Sequence, residues 1–487
     1  MSGLLIIFAF VLVLGFIIAA LVWQYTLADY LFPVWLLMPL WLRSQFSLKV
    51  SFFFMGQVYL GEIWVALGIG VLCLLARSVR QGPKMRVAPS MLWVVLLMVV
   101  STFLAVGLAP SAEDGLAKAL QANLMWTAAF IGALGLVALV PTTEEHHDRL
   151  IRSFVGAFGY VFPLLMIAMA LVPSVFSRYF EWDVNWTMVH GEFTRAPSPV
   201  GSGITAGLLA MMAMALAVGQ ILRGRSVWFY APVLFVGTTA ILFSLARSVL
   251  VAVAVFALIY FFRMMMRNLG RTVAMGLVAL VLLSPLAVYL SSRYDLSRLT
   301  DFREIQQSLR YQSAVGAWNA FQEKPATGHG VGQTYHLVRV PGLLQEDFSG
   351  RIERVISVGG MPSAREPHNM YLLILVEYGG VGLLLFGLGM FFWLRTARRA
   401  RRVSDHNWVS ISDAYWAAGI AWLVFLMTNS DPLLNTKSAF GMWAFFFMAL
   451  HNSQVVERQA DLVCEAELWS QEADEQEAAP VTTGAGR

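Results

Sequence analysis

The chain has 487 residues, 58% of them hydrophobic and 13% charged, with a formal net charge of +4. Soluble globular proteins carry about 25% charged residues, so the composition excludes a soluble domain. The two cysteines, Cys73 in an apolar run and Cys464 in an acidic tail, do not suggest a disulfide framework, and the arginines cluster in short segments between apolar runs, a pattern of membrane orientation and not of nucleic-acid binding.

Apolar runs of about 17 to 25 residues can cross a bilayer as helices. The first, Leu4 to Trp23, has no basic segment before it and no small-residue cleavage site after it, so it reads as a retained span. Leu27 to Leu42 is apolar but short and interrupted by Pro33 and Pro39, which favours an interfacial or re-entrant segment. Further candidate spans follow at 58–77, 89–109, 118–140, 152–173, 200–222, 228–245, 247–263, 272–290, 370–394, 412–428 and 434–451, twelve with the first. Every second connection is basic: Arg77, Arg80, Lys84 and Arg86; Arg149 and Arg152; Arg223 and Arg225; Arg263, Arg267 and Arg271; Arg395, Arg398, Arg399, Arg401 and Arg402. By the positive-inside rule these face the cytoplasm. The segments 110–117, 174–199, the turn near 246, 291–369 and 429–433 then lie outside, and both termini lie inside. Glu144-Glu-His-His-Asp148 falls in a cytoplasmic connection and reads as a solvated loop.

These elements divide the chain into N-terminal spans over 1–290, with an outer loop at 174–199; a large polar outer loop over 291–368; three further spans over 369–452; and an acidic cytoplasmic tail over 453–487, read as disordered. No internal repeat is visible. The expected fold class is an all-α polytopic membrane protein of about twelve transmembrane helices, with one large, partly helical loop outside.

Arg247, in Phe243-Ser-Leu-Ala-Arg-Ser-Val-Leu250, falls where the apolar stretch Trp228 to Phe262, too long for one span, must turn at the outer face. Charges at such positions are functional candidates by default, the alternative being an arginine that snorkels to headgroups. Arg310 lies in a predicted helix, Ile305 to Phe321, that Pro325 ends; at 100° per residue it shares a face with Ala314, Ala317, Trp318 and Phe321. That placement favours a buried anionic partner such as phosphate, and an ion pair with Glu304 is the alternative. Gly328-His-Gly-Val-Gly332 could let backbone N–H groups approach an anion, although a tight turn explains it as well; His329 and His336 have no ligand spacing that specifies a metal. His368, just before the apolar run from Met370, is placed at the outer membrane surface and is suited to proton transfer near neutral pH; a polar cap is the alternative. Trp182, Trp186 and Phe193 suit an interfacial belt, and Arg195 beside them could join an anion site.

Ser244-Leu-Ala-Arg-Ser248 opening a span, Arg310 followed by Trp318, Gly328-His-Gly-Val-Gly-Gln-Thr-Tyr335, and His368-Asn-Met-Tyr-Leu372 followed by Glu377-Tyr-Gly-Gly380 occur in this order. Together, over roughly Arg195 to Phe391, they resemble the O-antigen ligase and O-antigen polymerase superfamily of bacterial membrane glycosyltransferases. The resemblance implies an inner-membrane enzyme whose large loop is periplasmic and folds over a cavity at the outer leaflet. Its donor would be a glycan linked to undecaprenyl pyrophosphate, its acceptor a lipid or glycan hydroxyl, and it would need no metal or other cofactor. Arg247 and Arg310 match the family's pyrophosphate-engaging arginines and His368 its functional histidine; Arg195, Gly328, Gly330, Arg365 and Asn369 are supporting candidates. The chain departs from the pattern in a charged insert between Leu337 and Arg365. Ligation, polymerisation of lipid-linked repeats and protein glycosylation all remain open, as do other polysaccharide-assembly proteins as partners. From another class, a lipid-linked sugar flippase or transporter would be expected to place its charges and broken helices near mid-membrane.

Overall fold

The structure is a computed structural model that describes residues 49–52, 56–59, 129–138, 140–171, 189–190, 193–194, 203–244, 246–267, 269–270, 273, 309–330, 334, 369–403, 408–429 and 436–478. Among these residues the fold is helical apart from two short antiparallel hairpins. One pairs β1 (Lys49–Phe52) with β2 (Gly56–Tyr59), Val50 facing Val58; the other pairs β3 (Val189–His190) with β4 (Phe193–Thr194). The helices are α1 (Ala129–Ala138), α2 (Glu144–Val155), α3 (Phe162–Leu171), α4 (Gly203–Leu222), α5 (Val227–Phe243), α6 (Arg247–Met265), α7 (Leu309–Glu323), α8 (Met370–Val403), α9 (Val409–Leu426) and α10 (Thr436–Ala478). A π-helical stretch, Gly156–Val161, joins α2 to α3.

Five stretches are long and apolar enough to cross a membrane: Glu144–Ala168, Gly203–Leu222, Ser248–Met265, Met370–Val403 and Val409–Leu426. They coincide with expected spans at 152–173, 200–222, 247–263, 370–394 and 412–428. The expected spans 4–23 and 89–109, and almost all of 58–77 and 272–290, lie outside the described residues; β2 takes Val58 and Tyr59.

α4 is the central element, and its small residues explain why. Without a Cβ, Gly219 admits Ile411 and Ala414 of α9, while Gly207 admits Ser244 and Val249 at the α5–α6 turn. Between helices in lipid, small side chains allow the close approach that packing requires. On the other flank α10 supplies aromatics: Phe446 meets Trp393 edge-on at 4.7 Å and Trp422 at 4.8 Å, and Trp443 and Phe447 each meet Phe130 at 5.0 Å. Such edge-to-face pairs add to area burial.

One end of the bundle collects the arginines. Arg223, its side chain 2% exposed, pairs with Glu144 and Asp148 and stacks on Trp408 with its guanidinium carbon 3.6 Å from the ring centre. Arg225 joins Glu144 at 2.7 Å and Asp148 at 2.6 Å. Arg263, Arg267 and Arg401 converge on Asp413. The basic connections among the described residues, near 149–152, 223–225, 263–267 and 395–402, therefore meet at one end, and the N-termini of α6 and α8 point to the other; the connection with Arg77, Arg80, Lys84 and Arg86 lies outside the described residues.

Two expectations change here. Glu144–Asp148 is not a solvated loop but the first turn of α2, where carboxylates favour the positive end of the helix dipole. Within it His147 is fully buried, its Nδ1 2.9 Å from Nδ1 of His451 and its Nε2 3.4 Å from the Tyr415 hydroxyl. His451 Nε2 lies 3.2 Å from the Val140 carbonyl and must donate there. With both rings neutral, its Nδ1 then accepts from His147, whose Nε2 accepts from Tyr415, giving one directed chain that ties α2, α9 and α10 together. The acidic tail, in turn, begins as helix: α10 continues to Ala478, with residues 461–471 exposed, consistent with a run of Ala, Glu, Gln and Leu that favours helix in water.

Arg223→Ala should destabilise the fold by about 3 kcal/mol, because it removes a buried guanidinium with its Trp408 stack and leaves Arg225 as the one arginine paired with Glu144 and Asp148. Arg225→Ala, at a side chain 45% exposed, should cost under about 1 kcal/mol. Unfolding in mixed micelles monitored by tryptophan fluorescence distinguishes the two.

Candidate functional site

α5 and α6 are separated by a tight turn away from the arginine end. Ser244 is buried; its hydroxyl donates to the Ile241 carbonyl and accepts from Ala246 N–H at 3.3 Å, and Ala246 is extended (φ −100°, ψ 105°). Arg247 is the first residue of α6, so its backbone stands at the helix start where the apolar stretch predicted a pivot.

α8 is broken at Gly379 (φ 68°, ψ −168°). In an unbroken helix the Gly380 and Val381 N–H groups would donate to the Val376 and Glu377 carbonyls. Instead they donate to Pro325 (2.7 Å) and Ala326 (3.2 Å), while the two carbonyls accept from His329 N–H (2.8 Å) and Gly330 N–H (3.0 Å). These four groups, freed by the break, are thus satisfied by one segment, 325–330. The contact demands glycine on both sides. A Cβ on Gly328 would lie 2.5 Å from the Glu377 carbonyl carbon, one on Gly379 would run into the Ala326 carbonyl, and both residues have the positive φ that glycine favours. Side chains reinforce the joint: His329 Nε2–H donates to the Ala320 carbonyl at 2.8 Å, and the buried Thr334 hydroxyl donates to Glu377 Oε1 at 2.9 Å.

The break also bends α8 sharply. Tyr371 and Phe386 have ring centres 6.2 Å apart, whereas fifteen residues of straight helix span about 22 Å. Tyr371 also donates its hydroxyl to the Leu423 carbonyl of α9 at 2.8 Å. Asn369 caps the start of this segment: its Oδ1 accepts from Tyr371 N–H at 3.0 Å and Leu372 N–H at 3.2 Å. α7 docks on the same segment, Ala317, Ala320 and Phe321 meeting Val376 and Leu372.

Of the residues singled out in the sequence, Asn369 is therefore a helix cap beside His368, and Gly328 and Gly330 form the brace. The His329 and Gly330 N–H groups hold the helix break through the Val376 and Glu377 carbonyls, and that of Gly328 bonds to the Lys324 carbonyl in the turn after α7, so none of the three stands open to an anion. Arg310 is the second residue of α7. The face expected to be packed is shifted: Ser313, Ala317 and Ala320 are buried, while Trp318 is 46% exposed and touches Phe321. Small side chains let α7 approach α8, which a tryptophan in the seam would prevent. Arg195, Arg365, His368, His336 and the 338–364 insert lie outside the described residues. Sequence reasoning gave Glu377, Thr334 and Ser244 no role; their signal was the motif each belongs to, but their burial depends on the tertiary joint.

A family model described as O-antigen ligase matches residues 232–387. The match supports the O-antigen ligase and polymerase superfamily for this region. No curated protein matches the chain. The O-antigen ligase region takes in the α5–α6 turn, α7, its brace and the broken half of α8. With five candidate membrane helices, the chain is a multi-pass membrane protein.

Gly379→Ala should cost at least about 2 kcal/mol, combining a left-handed backbone with a collision. Gly387→Ala, where an added Cβ meets nothing within 4 Å, should be neutral or stabilise by up to about 1 kcal/mol. Unfolding midpoints of the two variants provide the comparison.

Proposed function

We propose that the protein is an O-antigen ligase-like glycosyltransferase of the bacterial inner membrane, with about twelve spans and its active site on the periplasmic side. It transfers a glycan from undecaprenyl pyrophosphate to an acceptor hydroxyl in surface polysaccharide or lipopolysaccharide assembly. The observation that carries this reading is the O-antigen ligase match over 232–387, which includes Arg247, Arg310 and His368 in one domain.

In the proposed reaction His368 takes the proton of the acceptor hydroxyl. The acceptor oxygen bonds to the anomeric carbon as the bond from that carbon to the pyrophosphate oxygen breaks, and the electron pair leaves on the pyrophosphate. Arg247 and Arg310 stabilise the charge that builds there, since guanidinium forks match phosphate oxygens in pairs. A single displacement inverts the anomeric centre. The two arginines supply the positive charge that a metal would otherwise bring, so the proposed reaction is metal-independent.

Transfer from an undecaprenyl-pyrophosphate glycan by the purified protein should persist in EDTA. Arg247→Ala, Arg310→Ala and His368→Ala should each fall by roughly a hundred- to a thousandfold at unchanged unfolding midpoints. A glycan on a lipid acceptor identifies a ligase, and a chain lengthened on its carrier a polymerase. Full activity in all three variants, or product with the donor's anomeric configuration, would contradict the assignment.

A further inference from the structure

Asp413, 4% exposed, is the meeting point of three guanidinium groups, from α6, the turn after it and α8. Arg263 Nη1 donates to Oδ1 at 2.8 Å, Arg267 Nη2 lies 2.7 Å from Oδ2, and Arg401 Nε lies 2.7 Å from Oδ1 without making a hydrogen bond. One carboxylate cannot balance three cations, so the cluster carries two surplus positive charges among the described residues. The neighbouring Arg399 is engaged elsewhere, with Glu457 at 3.2 Å. Like charges this close repel, and partial burial strengthens the repulsion; the side chains are 16%, 34% and 30% exposed for Arg263, Arg267 and Arg401. Arg263 is also held in place, its guanidinium carbon 3.7 Å over the Trp416 ring. Asp413 uses only a few of the guanidinium N–H groups, and each guanidinium offers five.

What lies beside the cluster points to the missing anion. α6 is the least buried of the five candidate spanning stretches, 17% of its window being buried. Its exposed row Leu258, Phe262 and Met265 runs to the turn that carries Arg263 and Arg267. On α8 the exposed row Leu384, Leu388 and Phe391 continues into Arg395 and Arg398. Basic pockets between membrane helices suit anionic lipid headgroups, and here the apolar row that an acyl chain needs ends at the charges that a phosphate diester needs.

We propose that Arg263, Arg267 and Arg401 bind the phosphate of an anionic phospholipid whose acyl chain lies along α6. The lipid supplies the counter-charge that Asp413 lacks and fastens α6 to α8 and α9. This site is at the arginine end of the bundle, away from the α5–α6 turn, and does not depend on the glycosyltransferase reading.

The test uses the full-length protein in neutral detergent with phosphatidylglycerol, phosphatidylcholine or inorganic phosphate, bound lipid being counted by native mass spectrometry and stability read as an unfolding midpoint. Phosphatidylglycerol should be retained and raise the midpoint; phosphatidylcholine and inorganic phosphate should do neither. Arg267→Gln and Arg401→Gln should each weaken retention about tenfold, the worth of one charge-assisted hydrogen bond, and Arg399→Gln should leave it unchanged. Equal retention of the two lipids, equal protection by inorganic phosphate, or wild-type retention in either folded Gln variant would overturn the proposal. The comparison of lipids on the wild-type protein decides it even where a variant does not fold.

Discussion

The break in α8 at Gly379 is the constraint on which the rest of the candidate site depends. A helix interrupted within a span leaves N–H and C=O groups without partners, and in hydrocarbon each such group costs several kcal/mol. The segment 325–330 removes that cost by exchanging two donors and two acceptors with the broken turn. The brace cannot move without exposing those groups, and the break cannot heal without expelling the brace. A loop segment and a membrane helix are thereby made one rigid unit, and the sharp bend that follows lets Tyr371 reach both Phe386 and Leu423.

The opposite end of the bundle is held by charge. Asp148 and Glu144 on α2, Asp413 on α9 and Glu457 on α10 each meet arginines on or just after another helix, so α2, α4, α6, α8, α9 and α10 are cross-linked within a turn or two of one surface. Partly buried carboxylates gain little net stability from such pairs but lose much when a partner is removed, which makes the network a specifier of helix register. From Arg263 back to Arg247, α6 rises about 24 Å, and from Asp413 to Leu423, where Tyr371 attaches, α9 rises about 15 Å. The starts of α6 and α8 thus share the half of the bundle away from the charges.

Much of this was legible in the sequence because hydropathy and arginine spacing are local signals. The pivot before Arg247 follows from an apolar stretch too long for one span and too short for a generous loop, and Pro325 correctly ends the helix carrying Arg310. What stayed hidden depends on distant partners. Glu144–Asp148 looks like a loop because its cations lie near residue 223 and the mate of His147 at residue 451, neither visible in the local pattern. Trp318 looks like a packing residue because size usually marks the core, but α7 meets α8 through Ser313, Ala317 and Ala320, whose smallness sets the helix spacing. The glycines of 328–330 announced a close backbone approach; that the approach is to a broken helix and not to an anion is a tertiary fact.

The same joint ties the described parts of the long polar stretch before α8 to one short helix. Closing a long loop costs chain entropy that grows slowly with length, and a site is held accurately only when its residues project from rigid elements. Here α7, which begins beside Arg310, docks on Met370–Tyr378 of α8, and Asn369, which follows His368 in the chain, caps that same segment. α7 and Asn369 are therefore both fixed to one short helix. The joint action proposed for Arg310 and His368 therefore rests on the break at Gly379 and the segment that repairs it, which hold the helices next to each of them in the chain.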